Sequence, residues 1–314
     1  MRPNAFPDSI RILGMVVQQG AEPERIDKAD TPMPRSAAPR LPFTLSPRLS
    51  VTLVSVVALL GGVIASAGFD WRGPTVLLIA VAALLSQGSW LVLWNAIAGT
   101  DWATPWHEWQ QWRSGNPLKP LPYTQPGSDA ARAAVTMGQL GAWVQQRFWP
   151  AYGARVSGIA AALVLAVVLP ALLGSQAIVL TLLALALPQA AIVLGKGDGK
   201  PNSVLQGLVQ ITLPMLLGYS LFEPLLVVAA WDIVAVAIGL GVAFGGVLTQ
   251  RPQHVALHIG QGVVLLVMVL TRRPIGAFLI ALFWMPHLLR FKIITKDSTW
   301  WLIASAVAAC AALS

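Results

Sequence analysis

The chain has 314 residues, of which 56% are hydrophobic and 11% charged, with a formal net charge of +8 and a mean hydropathy of +0.67. These values lie far from soluble-domain norms and place the chain in a membrane. They point away from a secreted or nucleic-acid-binding protein, and the single cysteine, Cys310, rules out a disulfide framework and a thiol metal site.

Residues 1–47 contain eight prolines and mixed charge. No stretch within them suits a signal peptide or an anchor, so they are expected to form a poorly ordered or surface-lying cytoplasmic Pro-rich tail. Residues 10–17 are apolar enough to pack on the membrane surface or on a partner; the alternative is an incidental apolar patch. Nine apolar runs follow, near residues 49–67, 75–97, 156–173, 177–194, 204–221, 225–248, 255–270, 275–289 and 299–312. A bilayer crossing needs about 17–25 residues, and the last three runs are short by that measure. The breaks FDWRGP (69–74), GSQ (174–176), KGDGKPN (196–202), FEP (222–224) and TRRP (271–274) join helix-stopping Gly or Pro to polar residues, which makes helical hairpins. Unpaired backbone is costly in hydrocarbon, and no short alternating strands suggest a barrel. Residues 48–314 are therefore read as an all-α, polytopic nine-span transmembrane bundle.

Orientation follows the basic residues. With a cytoplasmic N-terminus, eighteen of the twenty-one Lys and Arg fall on the cytoplasmic side, and only Arg72, Arg272 and Arg273 fall opposite.

Between the second and third runs lies a polar loop, 99–155, expected to be cytoplasmic and to hold an interfacial helix. Six of the thirteen tryptophans fall in 90–112. Trp102, Trp106, Trp109 and Trp112 recur at helical spacing, with His107, Glu108, Gln110 and Gln111 on the other side. An amphipathic helix with an indole belt in the membrane interface accounts for this. A sharper reading has the Trp face stacking on a tetrapyrrole, a carotenoid or an isoprenoid chain.

The loop continues as NPLKPLPYTQPGSDAARAA over 116–134. Asn116, Lys119-Pro120-Leu121-Pro122, Gly127-Ser128 and the Ala-rich segment after them resemble part of the loop after the second span in the UbiA superfamily of intramembrane prenyltransferases. That superfamily includes the quinone-precursor, haem and (bacterio)chlorophyll synthases. Its loop runs from an Asp-rich N-D-x-x-D-x-x-x-D helix through an Asn into a basic Pro-Leu-Pro turn and a Ser/Ala-rich helix start. Further along, Lys200-Pro201, Gly207, Pro214 and Gly218 resemble the family's basic turn and the Gly/Pro-bearing helix after it. The resemblance covers residues 49–313. It implies a UbiA-like bundle in a bacterial inner (cytoplasmic) membrane, with a cavity opening sideways to lipid.

It also implies chemistry that this chain is poorly equipped to perform. Ionising an allylic diphosphate calls for Mg²⁺ between diphosphate oxygens and two carboxylate clusters, with Lys or Arg contacts. After the second span the acids are Asp101, Glu108 and Asp129. If 95–112 is one helix, Asp101 and Glu108 share a face but are separated by about 10 Å of rise. One Mg²⁺, with ligands at about 2.1 Å, does not bridge that gap. After the sixth span TQRPQHVALH (249–258) has no carboxylate, and Asp198 and Asp232 lie elsewhere. Asp101 and Glu108 remain the candidate catalytic residues, and Mg²⁺ is expected only if the protein is active. Candidates for binding substrate or ligand are Asn116, the basic residues Lys119, Lys200 and Arg251, whose charge otherwise reflects the positive-inside bias, and Trp102, Trp106 and Trp109.

His254 and His258 are four apart, which is ligand spacing, but a zinc site needs three or four ligands. His258 is a candidate ligand for a chlorophyll magnesium or haem iron, with an interfacial hydrogen bond as its alternative. Gly241 and Gly245 have small-xxx-small spacing, suited to close helix packing within the bundle or against a partner. Three functions remain open. The first is a non-catalytic UbiA-like subunit of a photosynthetic or respiratory membrane complex, holding a lipid, quinone, carotenoid or (bacterio)chlorophyll and contacting membrane lipids and other membrane subunits. The second is a divergent active prenyltransferase of the (bacterio)chlorophyll or quinone branch. The third is a lipid-handling or transport protein.

Overall fold

The structure is a computed structural model that describes residues 47–66, 72–114, 125, 127–194, 202–225, 230–248, 255–288 and 295–314, with the side chains of 47–51 and 295–301 excepted. The tail before Pro47 and the candidates Asn116, Lys119, Lys200, Arg251 and His254 lie outside the described residues. The described residues are all-helical: α1 Pro47–Ala65, α2 Gly73–Ile97, α3 Ala103–Gln111, α4 Asp129–Leu173, α5 Ser175–Leu194, α6 over 203–220, α7 Trp231–Leu248, α8 Val255–Leu270, α9 Pro274–Leu288 and α10 Thr295–Leu313. Of these, α2, α4, α5 and α7 are long and apolar enough to cross a membrane, and Thr52–Ala65, Val255–Leu270, Pro274–Leu288 and Leu302–Leu313 are shorter apolar helices. These helices are compatible with a multi-pass membrane protein.

The third apolar run differs from the sequence expectation. It is the C-terminal part of α4, a helix of 45 residues that begins at Asp129. Gly127, at φ +83°, turns the chain, and Ser128 caps the helix by accepting from the Ala131 N–H at 3.3 Å. The Ala-rich stretch then propagates the helix by intrinsic propensity. Much of the 99–155 segment is thus the base of a span.

Three helices contain a π-helical segment: Leu85–Leu91 in α2, Val144–Phe148 in α4 and Leu208–Thr212 in α6. The last two each end two residues before a proline, Pro150 and Pro214. A proline has no N–H for the carbonyl four residues back, and a locally wider turn carries the helix through it.

The core is centred on α6, in which every residue from Val209 to Gly218 is buried. It packs against α1, α5 and α7, and its π segment also meets that of α2. Glycine sets how closely these helices approach. A Cβ at Gly62 would meet the Met215 carbonyl, one at Gly218 the Leu59 carbonyl, and one at Gly207 the Gly241 carbonyl. Gly245 faces Val204, with a Cβ there falling 2.6 Å from the Val204 Cα. Contacts running from Val204–Gly245 through Gly207–Gly241 to the Thr212 hydroxyl, which donates to the Ala237 carbonyl at 2.8 Å, make α6 and α7 antiparallel. Gly246 against Leu257 and Gly239 against Gly260 and Val264 do the same for α7 and α8. The Gly241 and Gly245 spacing is therefore used inside the bundle.

The turns are also tied down. Gln176 Oε1 accepts from the Leu225 N–H at 3.1 Å, so the α4–α5 turn and the segment after α6 share one end of the bundle. Arg273, an exception to the basic bias, donates from Nη1 to the Ala312 carbonyl. This places a cation on the negative end of α10, where the helix dipole favours it.

Candidate functional site

Helix α3 is short, and its ends explain its limits. The helix expected over 95–112 is interrupted: α2 ends at Ile97 and α3 starts at Ala103. Asp101 sits in the break, where its carboxylate accepts from the Ala103 N–H at 2.9 Å, the Thr104 N–H at 3.4 Å and the Thr104 hydroxyl at 2.7 Å. One candidate catalytic acid is thereby committed to starting a helix. At the other end the Arg113 guanidinium donates to the Gln110 and Trp112 carbonyls at 2.8 and 2.9 Å.

The Thr104 hydroxyl, with the two backbone N–H groups, holds the Asp101 carboxyl below its ordinary pKa. A lowered folded-state pKa means that the cap's contribution is full above the unfolded value and is lost as pH falls through the folded one. Hydrogen-exchange protection at Ala103 and Thr104 should therefore fall on acidification. Asp101→Asn, which still caps, should keep the protection and lose its pH dependence.

The Trp stripe divides. Trp102, Trp109 and Trp112 are half-buried and Trp106 is 60% exposed. The inward members join an aromatic ladder with the N-terminal part of α4. Trp109 lies 5.7 Å from Trp143 between ring centroids, Trp143 5.1 Å from Phe148, Phe148 5.4 Å from Tyr152 and Trp102 5.9 Å from Tyr152. Such pairs add to simple burial. The Arg155 guanidinium caps the ladder 5.7 Å from the Tyr152 ring. The π segment Val144–Phe148 supplies Arg147 and Phe148 to this face.

Between α3 and α4 is a cavity of about 280 Å³ lined by Glu108, Gln111, Trp112, Trp143 and Arg147. The Nε1 atoms of Trp112 and Trp143 are buried without a hydrogen-bond partner, and Trp143 is only 8% exposed. The lining thus combines one carboxylate, one guanidinium and two indole donors. Donors of this kind suit an oxygen-bearing headgroup. A lone carboxylate is poor provision for Mg²⁺, and among the described residues no group of three or more His, Cys, Asp or Glu can hold a metal ion.

The structure therefore places Trp102 and Trp109 in the aromatic ladder, Glu108 in the cavity beside it and Asp101 at the start of α3. Trp143, Arg147, Phe148, Tyr152 and Arg155 complete the site without having been singled out in the sequence; a Trp and an Arg at 143 and 147 on a capped helix were the available signal. His258 lies far along the chain, in α8. Its Nδ1 accepts from the Trp284 Nε1–H at 3.1 Å, with the rings 6.1 Å apart. This contact is of the kind that the hydrogen-bond alternative for His258 expects.

Comparison of the chain with protein-family models, with curated proteins and with solved structures finds no match.

Proposed function

We propose that this protein is a UbiA-like, non-catalytic subunit of a membrane complex, photosynthetic or respiratory, which binds an amphiphile by its oxygen-bearing headgroup between α3 and α4. In this reading α1, α2 and α4 to α10 make nine spans of a bacterial inner membrane, with the N-terminus cytoplasmic and Ser314 on the far side. The observation that carries it is the cavity lined by Glu108, Gln111, Trp112, Trp143 and Arg147, with its two unpartnered indole donors. An indole N–H and a guanidinium donate to phosphate, carboxylate or quinone oxygens, and the aromatic ladder beside them suits the apolar part of a lipid, quinone or pigment. The sequence adds the carboxylate-free segment 249–258, where the family's second acidic cluster belongs.

Purification in mild detergent followed by native mass spectrometry tests this. The expected result is a co-purifying amphiphile, with occupancy reduced roughly tenfold by Arg147→Gln, the loss of one charge-assisted hydrogen bond, together with a membrane-protein partner. A monodisperse monomer carrying neither overturns it.

A further inference from the structure

A second polar site lies inside the bundle, away from the α3–α4 cavity. The π segments Leu85–Leu91 and Leu208–Thr212 pack against each other, and each carries one glutamine. Gln210 is only 1% exposed, and Gln87 is half-buried. In both, the amide oxygen and the amide nitrogen are buried without a hydrogen-bond partner.

The other polar side chains of the two π segments are satisfied, Ser86 by donating to the Ala83 carbonyl at 3.1 Å. Ser89 donates to the Ala162 carbonyl at 2.9 Å, Trp90 Nε1 donates to the Thr181 hydroxyl at 3.3 Å, and Thr212 donates to the Ala237 carbonyl at 2.8 Å. Two whole carboxamides left over in two otherwise paired segments therefore call for a specific partner. π segments of this kind recur at functional sites.

Charge narrows the partner. Residues 73–97 of α2, 175–194 of α5 and 203–220 of α6 contain no Asp, Glu, Lys, Arg or His. A diphosphate or a divalent cation would lie there without a countercharge, which an apolar interior penalises heavily. Each carboxamide offers both donors and an acceptor. An uncharged hydroxylic group, donating to one amide oxygen and accepting from an N–H, complements both.

We infer that the facing π segments of α2 and α6 form a binding site for an uncharged, hydroxyl-bearing ligand held by Gln87 and Gln210. Its chemistry has two sources, ordered water or the hydroxyl of a bound amphiphile such as a reduced quinol.

The test uses full-length protein labelled with ¹⁵N-glutamine in deuterated detergent. Cross-relaxation from the Gln210 side-chain amide protons is recorded before and after exhaustive delipidation. Cross-peaks at the water frequency that survive delipidation assign the site to water. Cross-peaks to non-protein protons that vanish with delipidation, together with a released hydroxylic species in the extract, assign it to an amphiphile. Cross-peaks to protein protons alone, including those of Gln87, overturn the inference. As a second measurement, Gln87→Met and Gln210→Met should each lower Tm by about 2–4 °C, the scale of one lost buried hydrogen bond in a chain of this size. An unchanged or raised Tm in both, the result for amides that are truly unpartnered, overturns it as well.

Discussion

Gly207→Ala is expected to break the seam between α6 and α7. The added methyl would land on the Gly241 carbonyl oxygen and within 2.8 Å of the Gly245 nitrogen. Both obstacles are backbone, so no rotamer change relieves them. The two helices must separate, and with them goes the packing around Thr212 and Ala237. Overpacking of this kind costs about 3 kcal/mol or more, which lowers Tm by roughly 6–12 °C at this chain length. Gly158→Ala in α4 supplies the control, because a Cβ there has nothing within 4 Å and the change gains up to about 1 kcal/mol of helix propensity. Thermal melts of the two variants in the same detergent should shift in opposite directions. A Gly207→Ala protein that melts with the wild type would show that the α6–α7 contact is looser than described.

Incubation of the purified protein with Mg²⁺ and a C15 to C20 allylic diphosphate is expected to yield no prenylated product. The effect separating this outcome from the alternative is many orders of magnitude in rate. Its basis is the division of labour between the two candidate catalytic acids after α2, the third acid there, Asp129, being paired with Arg132: Asp101 is held by Ala103 and Thr104, and Glu108 faces a cavity with Arg147. Neither supplies the second carboxylate that a metal-bridged diphosphate needs. Product detected by mass spectrometry that disappears in Glu108→Gln would promote the active-prenyltransferase reading and remove the subunit proposal. Product that persists in Glu108→Gln would point to acids outside this cavity and equally sink the non-catalytic reading.

The helices were legible because each apolar run but the last is closed by Gly, Pro or charge, and those stops coincide with the observed ends at Ile97, Leu173, Leu194 and Leu270. The start of α4 was not, because residues 129–155 are polar enough to read as a loop. Their helicity comes from the Ser128 cap, alanine propensity and the aromatic packing of Trp143 and Phe148 on α3, and the last of these is a tertiary effect that hydropathy does not encode. The Trp stripe was visible from its spacing. Its partner face was not, since Trp143, Phe148 and Tyr152 are spaced for helical contact only once α4 is known to begin at Asp129. The break at 98–102, which gives Asp101 its role, rests on Gly99 and an Asp two residues ahead of the first α3 N–H, both present in the sequence as turn and cap chemistry. Two of the three π segments left a faint trace in QQRFWP and QITLP, where a proline follows a glutamine by four residues.

The 45 residues of α4 make a rod of about 68 Å, more than twice the roughly 30 Å hydrocarbon thickness of a bilayer. Its apolar half is seated among α2 and α5, and its other half carries α3 through the Trp109–Trp143 and Trp102–Tyr152 contacts. The helix can therefore act as a lever, with the π segment Val144–Phe148 and Pro150 as the place where it would bend. A tilt of about 5° in the seated half carries the Asp129 end, some 40 Å away, through about 3–4 Å, so a load applied at α3 is felt as a turning moment by the bundle.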